Sequence, residues 1–328
     1  MLVTQTPLRV SFFGGGTDLP AFYEQHEGAV LSAAINRYVY IALHPYHERQ
    51  YALKYSQTEV VDKVDEIQHR LIRECFRMVD AQPGIELSSF ADITSSGSGL
   101  GSSSAFAVGL LKALHAFQGR HLAPAACADL ACQVEIERLG DPIGKQDQYA
   151  SAFGGLNYYR FLPDGRVLVD PVILDRESRE TLERRLVLVN TGRTRSAGAI
   201  LSEQSRRTKG GGATVELLLA MREQAVTARH LLHQRDLDGF GRLLNEAWAL
   251  KRQVSAGISD PEIEALYQTG LDAGALGGKL LGAGGGGFVL FYCPESALPS
   301  LTAAVAPRKV QTFRMDAQGT RVAFLGHD

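Results

Sequence analysis

The residues best suited to chemistry fall in a few short stretches of a 328-residue chain. The densest is TSSGSGLGSSSAFAVGLLKAL, Thr94 to Leu114, where serines and glycines run straight into an apolar pattern. Ala107, Leu110, Leu111, Leu114 and Phe117 have the three- and four-residue spacing of one buried helical face. The spacing predicts a helix from near Ser102. A helix's first turn carries N–H groups without partners and a dipole that favours negative charge, so a glycine-rich approach makes an anion site. Phosphate is the obvious guest. The hydroxyls of Ser102, Ser103 and Ser104 could cap the helix, donate to phosphate, or ligate a metal ion that travels with it. The plainer alternative is a Ser/Gly loop followed by an N-cap.

The segment EIERLGDPIGKQDQYASAFGG begins at Glu135. Asp147 lies two residues after Lys145, and a carboxylate beside an ammonium can accept a proton from a substrate hydroxyl while the lysine steadies developing charge. In the helical pattern before it, Ala128, Cys132, Glu135 and Leu139 share one stripe, and Asp129, Gln133 and Glu137 share another. Glu135 therefore falls among small apolar residues. A buried carboxylate is costly unless paired, so a metal or other cation is expected opposite it. A partly exposed carboxylate at a helix end is the alternative.

Three further stretches are weaker alone. PLRVSFFGGGTDLPAF sets Arg9 and Asp18 at the two ends of a strand and glycine turn: Asp18 could accept from sugar hydroxyls and Arg9 could pair with a carboxylate or phosphate, or Asp18 is only a turn residue. VNTGRTRSAG places Arg193 and Arg195 after a predicted strand, as a solvated loop or as holders of a second phosphate. LGAGGGGFVLFY satisfies G-x-G-x-x-G through Gly282, Gly284 and Gly287. A dinucleotide fingerprint follows a strand and opens a helix, whereas here a helix-like segment precedes the glycines and a strand, Phe288 to Tyr292, follows. The remaining readings are a turn that lets backbone approach a ligand and a structural turn with bulges.

The elements that must position these residues are legible in part. Short β-type runs alternate with glycine turns in the first third, with a helix expected near Asp65 to Asp80. PAACADLACQVEIERL reads as a helix opened by Pro124 and stopped by Gly140 and Pro142. Strands are expected around Gly155 to Phe161 and Arg185 to Asn190, and helices over Val215 to His233 and Leu237 to Val254. SEQSRRTKGGGATVE reads as polar and mobile, and KVQTFRMD with TRVAFL as a hairpin-like pair. We expect two α+β parts, residues 1–182 and 183–328, sharing a cleft.

Composition narrows the class. With 45% hydrophobic and 21% charged residues and a formal charge of −2, the chain reads as globular, with no electrostatic reason to expect nucleic acid or a membrane surface. Cys75, Cys127, Cys132 and Cys293 show no CxxC spacing, which suits buried thiols in a reducing cytoplasm. Neither a signal segment nor a bilayer-spanning stretch is visible, so a cytoplasmic protein is expected, as monomer or homodimer.

Taken in order, PLRVSFFGGGTD, SSGSGLGSSSA and LGAGGGG, with GKQDQY between the last two, resemble the three motifs of the GHMP kinases. The resemblance implies an α+β fold with a ribosomal protein S5 domain 2-like amino-terminal domain and a ferredoxin-like carboxy-terminal domain. It implies ATP and Mg²⁺ as cofactors. Gly97, Ser98, Gly99, Leu100, Gly101, Ser102, Ser103 and Ser104 would hold ATP phosphates, with Ser103 and Glu135 on the metal. Asp147 would be the catalytic aspartate, assisted by Lys145. Arg9, Gly15, Gly16, Thr17, Asp18, Arg193, Arg195 and Gly285 would bind substrate. Where the group usually has GLGSS followed by two alanines, this chain has GLGSSSA, which leaves open whether Ser103 or Ser104 meets the metal. Within the group, TPLRVSFFGGGTDLPAFYEQHEGAVLSAAINRYVYI, TGRTRSA and GGKLLGAGGGGF are similar to kinases of a heptose 7-phosphate, which implies a sugar phosphate substrate. A fucose- or galactose-type sugar-1-kinase and a catalytically silent sugar- or nucleotide-binding regulator stand as alternatives.

Overall fold

Along Leu2–Phe13, burial alternates for the first residues and then becomes continuous, because helices from several parts of the chain cover this strand. The structure is a computed structural model describing residues 1–93, 97–193 and 197–326. Its strands are β1 (Leu2–Phe13), β2 (Gly28–Pro45), β3 (Tyr51–Lys54), β4 (Thr58–Val61), β5 (Ile85–Ala91), β6 (Leu156–Phe161), β7 (Val167–Pro171), β8 (Leu186–Asn190), β9 (Gly277–Leu280), β10 (Phe288–Tyr292), β11 (Val310–Thr312) and β12 (Arg321–Leu325). Its helices are α1 (Pro20–Tyr23), α2 (Arg70–Met78), α3 (Ser102–Phe117), α4 (Pro124–Cys132), α5 (Gln146–Phe153), α6 (Arg176–Arg185), α7 (Ala197–Lys209), α8 (Ala213–His233), α9 (Leu237–Val254), α10 (Pro261–Asp272) and α11 (Leu298–Ala304).

Two sheets result. The first runs β12-β1-β2-β5-β3-β4, with β6 paired to the amino-terminal half of β2 and β7 to β6. All of its pairs are antiparallel except β3 on β5. The second, β11-β8-β10-β9, is antiparallel throughout. Helices α3 and α5 pack on β1 and β2, while α9 contacts β9, β10 and β1. Phe240 of α9 meets Phe12 and Phe13 of β1 edge-to-face, with centroids 5.5 and 5.2 Å apart, so one apolar core runs through both sheets.

The backbone departs from the sequence expectations in several places. The helix expected over Asp65 to Asp80 is a short turn, Val64–Glu66, then α2, whose N-cap His69 accepts from the Ile72 N–H. The polar segment expected to be mobile is helical as α7, supported by Glu203 paired with Arg206 and Arg207 at one-turn spacing. A strand, β9, directly precedes the third glycine segment, making it the loop of a β9–β10 hairpin. The two carboxy-terminal strands do not pair with each other: β11 joins β8, and β12 returns to β1.

The two glycine loops touch, and this contact joins the halves at the cleft. A Cβ on Gly99 would stand 2.6 Å from the Leu281 carbonyl oxygen, and one on Gly282 would stand 2.5 Å from the Gly99 Cα. Both residues also have positive φ, +74° and +71°. Side chains are therefore excluded twice, by space and by conformation. Gly282→Ala is expected to cost about 1–3 kcal/mol through backbone strain, read as a lowered Tm; an unshifted melting curve would contradict this contact.

Candidate active site

A cleft of about 410 Å³ is bounded by the Ser/Gly loop, the GGGTD turn, the chain before α5, and helices α7 and α9. The three loop glycines, Gly97, Gly99 and Gly101, all take positive φ, and Gly101 is the N-cap of α3. The helix therefore starts where the spacing placed it, with its first turn, Ser102 to Ser104, on the cleft wall. The N–H groups at a helix's first turn suit an anion. The first three residues of the segment, Thr94 to Ser96, lie outside the described residues.

Asp147 sits in the first turn of α5, next to Gly101, whose added Cβ would come within 3.1 Å of Asp147 Oδ2. Its partner is Arg9. The guanidinium donates from Nε to Oδ1 and from Nη2 to Oδ2, both at 2.7 Å, and from Nη1 to the Gly99 carbonyl at 2.6 Å. A bidentate pair of this kind fixes the carboxylate plane. Each carboxylate oxygen has a second acceptor position, so Asp147 can still take a hydrogen bond from a hydroxyl in the cleft.

Glu135 is buried at the cleft's edge, in a stretch, Gln133–Arg138, wound as a π-turn and not as the expected α-helix. Ala128 and Cys132 of the same stripe are buried as well, while Leu139 is partly exposed. The hydrogen bonds it receives are from neutral groups: Ser103 Oγ at 3.1 Å, Gln148 Nε2 at 2.6 Å, and the Ser104 hydroxyl. Burial pushes its carboxyl up to about 7, only partly offset by those bonds. Asp18 is also buried, and burial raises its carboxyl despite hydrogen bonds from the Gly16 and Gln146 N–H groups and from Gln146 Nε2. Gly144 makes room for it: a Cβ there would fall 1.9 Å from Asp18 Oδ2.

Several expected site residues are placed elsewhere. Lys145 does not flank Asp147; its ammonium donates to the Gly165 carbonyl at 2.6 Å and lies over the Tyr23 ring, so Arg9 is the cation at Asp147. Arg193 is turned to Asp260 and Glu262, at 2.9 and 3.0 Å, and is not on the cleft wall. Arg195 lies outside the described residues. The Gly285 N–H is spent on the Ile258 carbonyl, and Gly282 with Ala283 line the cleft instead. Thr17 uses its hydroxyl on Gly14 and Ala29 backbone, while Leu100 is a buried core residue whose N–H meets Ser98 Oγ. Gly15, Gly16, Asp18 and Arg9 do line the cleft.

Sequence reasoning missed Gln148 and two lysines of the cleft wall, Lys251 and Lys279. Burial pushes the Lys279 ammonium down to about 7 and Lys251 well below its ordinary range. A signal existed for one of them. Lys251 falls on the apolar stripe of α9, between Trp248 and Val254, where a charge is out of pattern.

With this geometry in view, the chain matches two descriptions, GHMP kinases N terminal domain over residues 64–155 and GHMP kinases C terminal over residues 228–310. It is 31% identical to the D-glycero-alpha-D-manno-heptose 7-phosphate kinase of Campylobacter jejuni, over 97% of each chain. The chain is a GHMP kinase. It is 25% identical to the galactokinase of Pyrococcus furiosus over 97% of this chain and 96% of that one. A crystal structure of a D-glycero-D-manno-heptose 1-phosphate kinase from Bacteroides thetaiotaomicron superposes with a TM-score of 0.83 at 24% identity, each chain covered in full, and shares the fold. As a member of this family the protein is an ATP-dependent sugar kinase, with ATP as phosphate donor. No helix among the described residues is long and apolar enough to cross a membrane, and all four cysteines are buried free thiols.

The raised Glu135 carboxyl has a stability consequence. Between its ordinary value of 4.5 and about 7, the folded protein holds a proton that the unfolded chain has released, so this group lowers stability as pH rises through that window. Glu135→Gln is expected to raise Tm at pH 8 in nucleotide-free protein, by roughly 1–3 kcal/mol of stability, with the gain shrinking toward pH 5. A pH-independent difference between the melting curves would count against it.

Proposed function

We propose that this kinase transfers the γ-phosphoryl group of ATP to the anomeric C1 hydroxyl of D-glycero-D-manno-heptose 7-phosphate, giving the 1,7-bisphosphate and ADP. The observation that carries the reading is the meeting of Asp147, held by Arg9, with the first turn of α3 in one cleft. The substrate is taken from the 31% identical Campylobacter jejuni relative, whose name states it.

In this reading the amides and hydroxyls of Gly97 to Ser104 hold the triphosphate. Asp147 receives the C1 hydroxyl proton as the C1 oxygen bonds to the γ-phosphorus and the bond to the β-phosphate oxygen breaks, its electron pair leaving with ADP. Arg9 fixes Asp147 in the line of attack, and Asp18 with Gln146 takes sugar hydroxyls at the GGGTD turn. Alignment and charge stabilisation supply most of what phosphoryl transfer needs.

The donor set suits Mg²⁺. No cluster of three or more His, Cys, Asp or Glu is present among the described residues, and this metal needs none: it takes one or two carboxylates together with substrate phosphates. Glu135 is a buried carboxylate with neutral donors only, next to serine hydroxyls at the phosphate-binding turn. Glu135 with Ser103 would hold the ion, which when bound neutralises phosphate charge. The cytoplasm is the compartment we assign, on the free thiols.

Two measurements test this. A panel of free sugars and sugar phosphates with ATP and Mg²⁺, with the new phosphate located by NMR, is expected to show fastest turnover on the heptose 7-phosphate and a product phosphorylated at C1; faster turnover on fucose or galactose would replace the substrate. Asp147→Asn is expected to lower turnover by on the order of a hundredfold or more, with nucleotide affinity little changed. Near-normal turnover would remove Asp147 from the role.

A further inference from the structure

Two buried ammonium groups in the cleft have no part in the transfer chemistry. Lys251 of α9 donates to the carbonyls of Leu280 and Gly282, at 2.8 and 2.6 Å. Lys279 of β9 donates to the Phe12 carbonyl at 2.7 Å. An ammonium carries three donors, so among the described residues these acceptors leave one N–H of Lys251 and two of Lys279 unused. Both residues line the cleft.

Their charges are unmatched. The charged groups that bear on Lys251 are Lys279 and Arg9, and the one that bears on Lys279 is Arg9. All three are basic groups, Arg9 is already matched by Asp147, and burial with this mutual repulsion disfavours the ammonium forms of the two lysines. Two like charges buried side by side are unfavourable by themselves and become favourable when an anion lies between them.

Position bears on which anion. The triphosphate is assigned to the first turn of α3, which Arg9 reaches through the Gly99 carbonyl. Along β1 the chain passes from Arg9 to Phe12, whose carbonyl holds Lys279, and then to the GGGTD turn. At about 3.3 Å per residue, Phe12 is roughly 10 Å from Arg9, toward Asp18. Lys279 is thus anchored on the side of the GGGTD turn, while Lys251, bonded to Gly282, stands where the two glycine loops meet, so an anion held by both would lie between the sugar turn and the phosphate loop. Ser11 and Gln146 line the same cleft, and the Ser11 hydroxyl and Gln146 Oε1 are buried atoms with no hydrogen-bond partner among the described residues.

We propose that Lys251 and Lys279 form the subsite for a phosphate monoester carried by the acceptor sugar, and so select a sugar phosphate over the free sugar. This rests on the reading of the acceptor as a phosphorylated sugar. The same chemistry would serve a nucleotide phosphate, and kinetics separate the two sources.

The test compares wild type with Lys251→Met and Lys279→Met, which keep most of the buried volume, each checked for folding by circular dichroism. The expected result is a KM for heptose 7-phosphate raised on the order of ten- to a hundredfold, a KM for ATP close to wild type, and a matching fall in the preference for heptose 7-phosphate over unphosphorylated heptose. A raised KM for ATP instead would give the lysines to the nucleotide, and unchanged constants would reduce them to structural ties; either overturns the proposal. Should a variant not fold, inorganic phosphate on the wild type serves: inhibition competitive with the sugar phosphate supports the subsite, and inhibition competitive with ATP refutes it. A wild type with no preference for the phosphorylated sugar would refute the acceptor reading itself, whatever the lysines do.

Discussion

The Arg9 guanidinium holds together three segments that are far apart in sequence. Two of its nitrogens grip the Asp147 carboxylate, a third grips the Gly99 carbonyl, and its own backbone N–H donates to the Leu100 carbonyl. One strand of the first sheet is thereby fixed to the Ser/Gly loop and to the start of α5. The planar fork matters, since a point charge could not set the carboxylate plane and the loop carbonyl at once. The cleft's geometry follows from this residue, because the loop and the carboxylate beside it are positioned by the same group.

Around that tie the protein keeps charges where burial disfavours them. Glu135 has its carboxyl raised to about 7 and Lys279 its ammonium lowered to about 7, both by burial, and they lie on the same cleft. A site for charged ligands is unbalanced beforehand, because preorganised charges are what the ligands then neutralise. The cost falls on stability and is offset by an apolar core that runs through both sheets, with Phe12, Phe13 and Phe240 at the junction.

Local pattern carried some elements well. The helix after the Ser/Gly loop starts at Ser102, and α9 spans Leu237–Val254 as its periodicity predicted, because each reports a buried stripe of one element. Pattern failed where partners are distant. The last strands look like a hairpin, yet β12 pairs with β1 across the length of the chain, since edge pairing is chosen by the sheet and not by the turn. α7 looked mobile because its composition is polar, and its buried Gln204 and Thr208 become apparent only against the rest of the fold.

For the site, the three glycine motifs in order, the start of α3, and the candidacy of Glu135, Asp147, Asp18 and Arg9 were legible before any fold was known. Residue type and spacing suffice for these because phosphate binding by backbone amides demands glycine and a helix start. Which cation meets which anion emerged from the fold alone. It gave Asp147 to Arg9 and sent Lys145 to Gly165, turned Arg193 to Asp260 and Glu262, and brought Lys251 and Lys279 to the cleft wall. Charge pairing depends on distances of a few ångströms between elements far apart in the chain, and sequence separation carries no such distance.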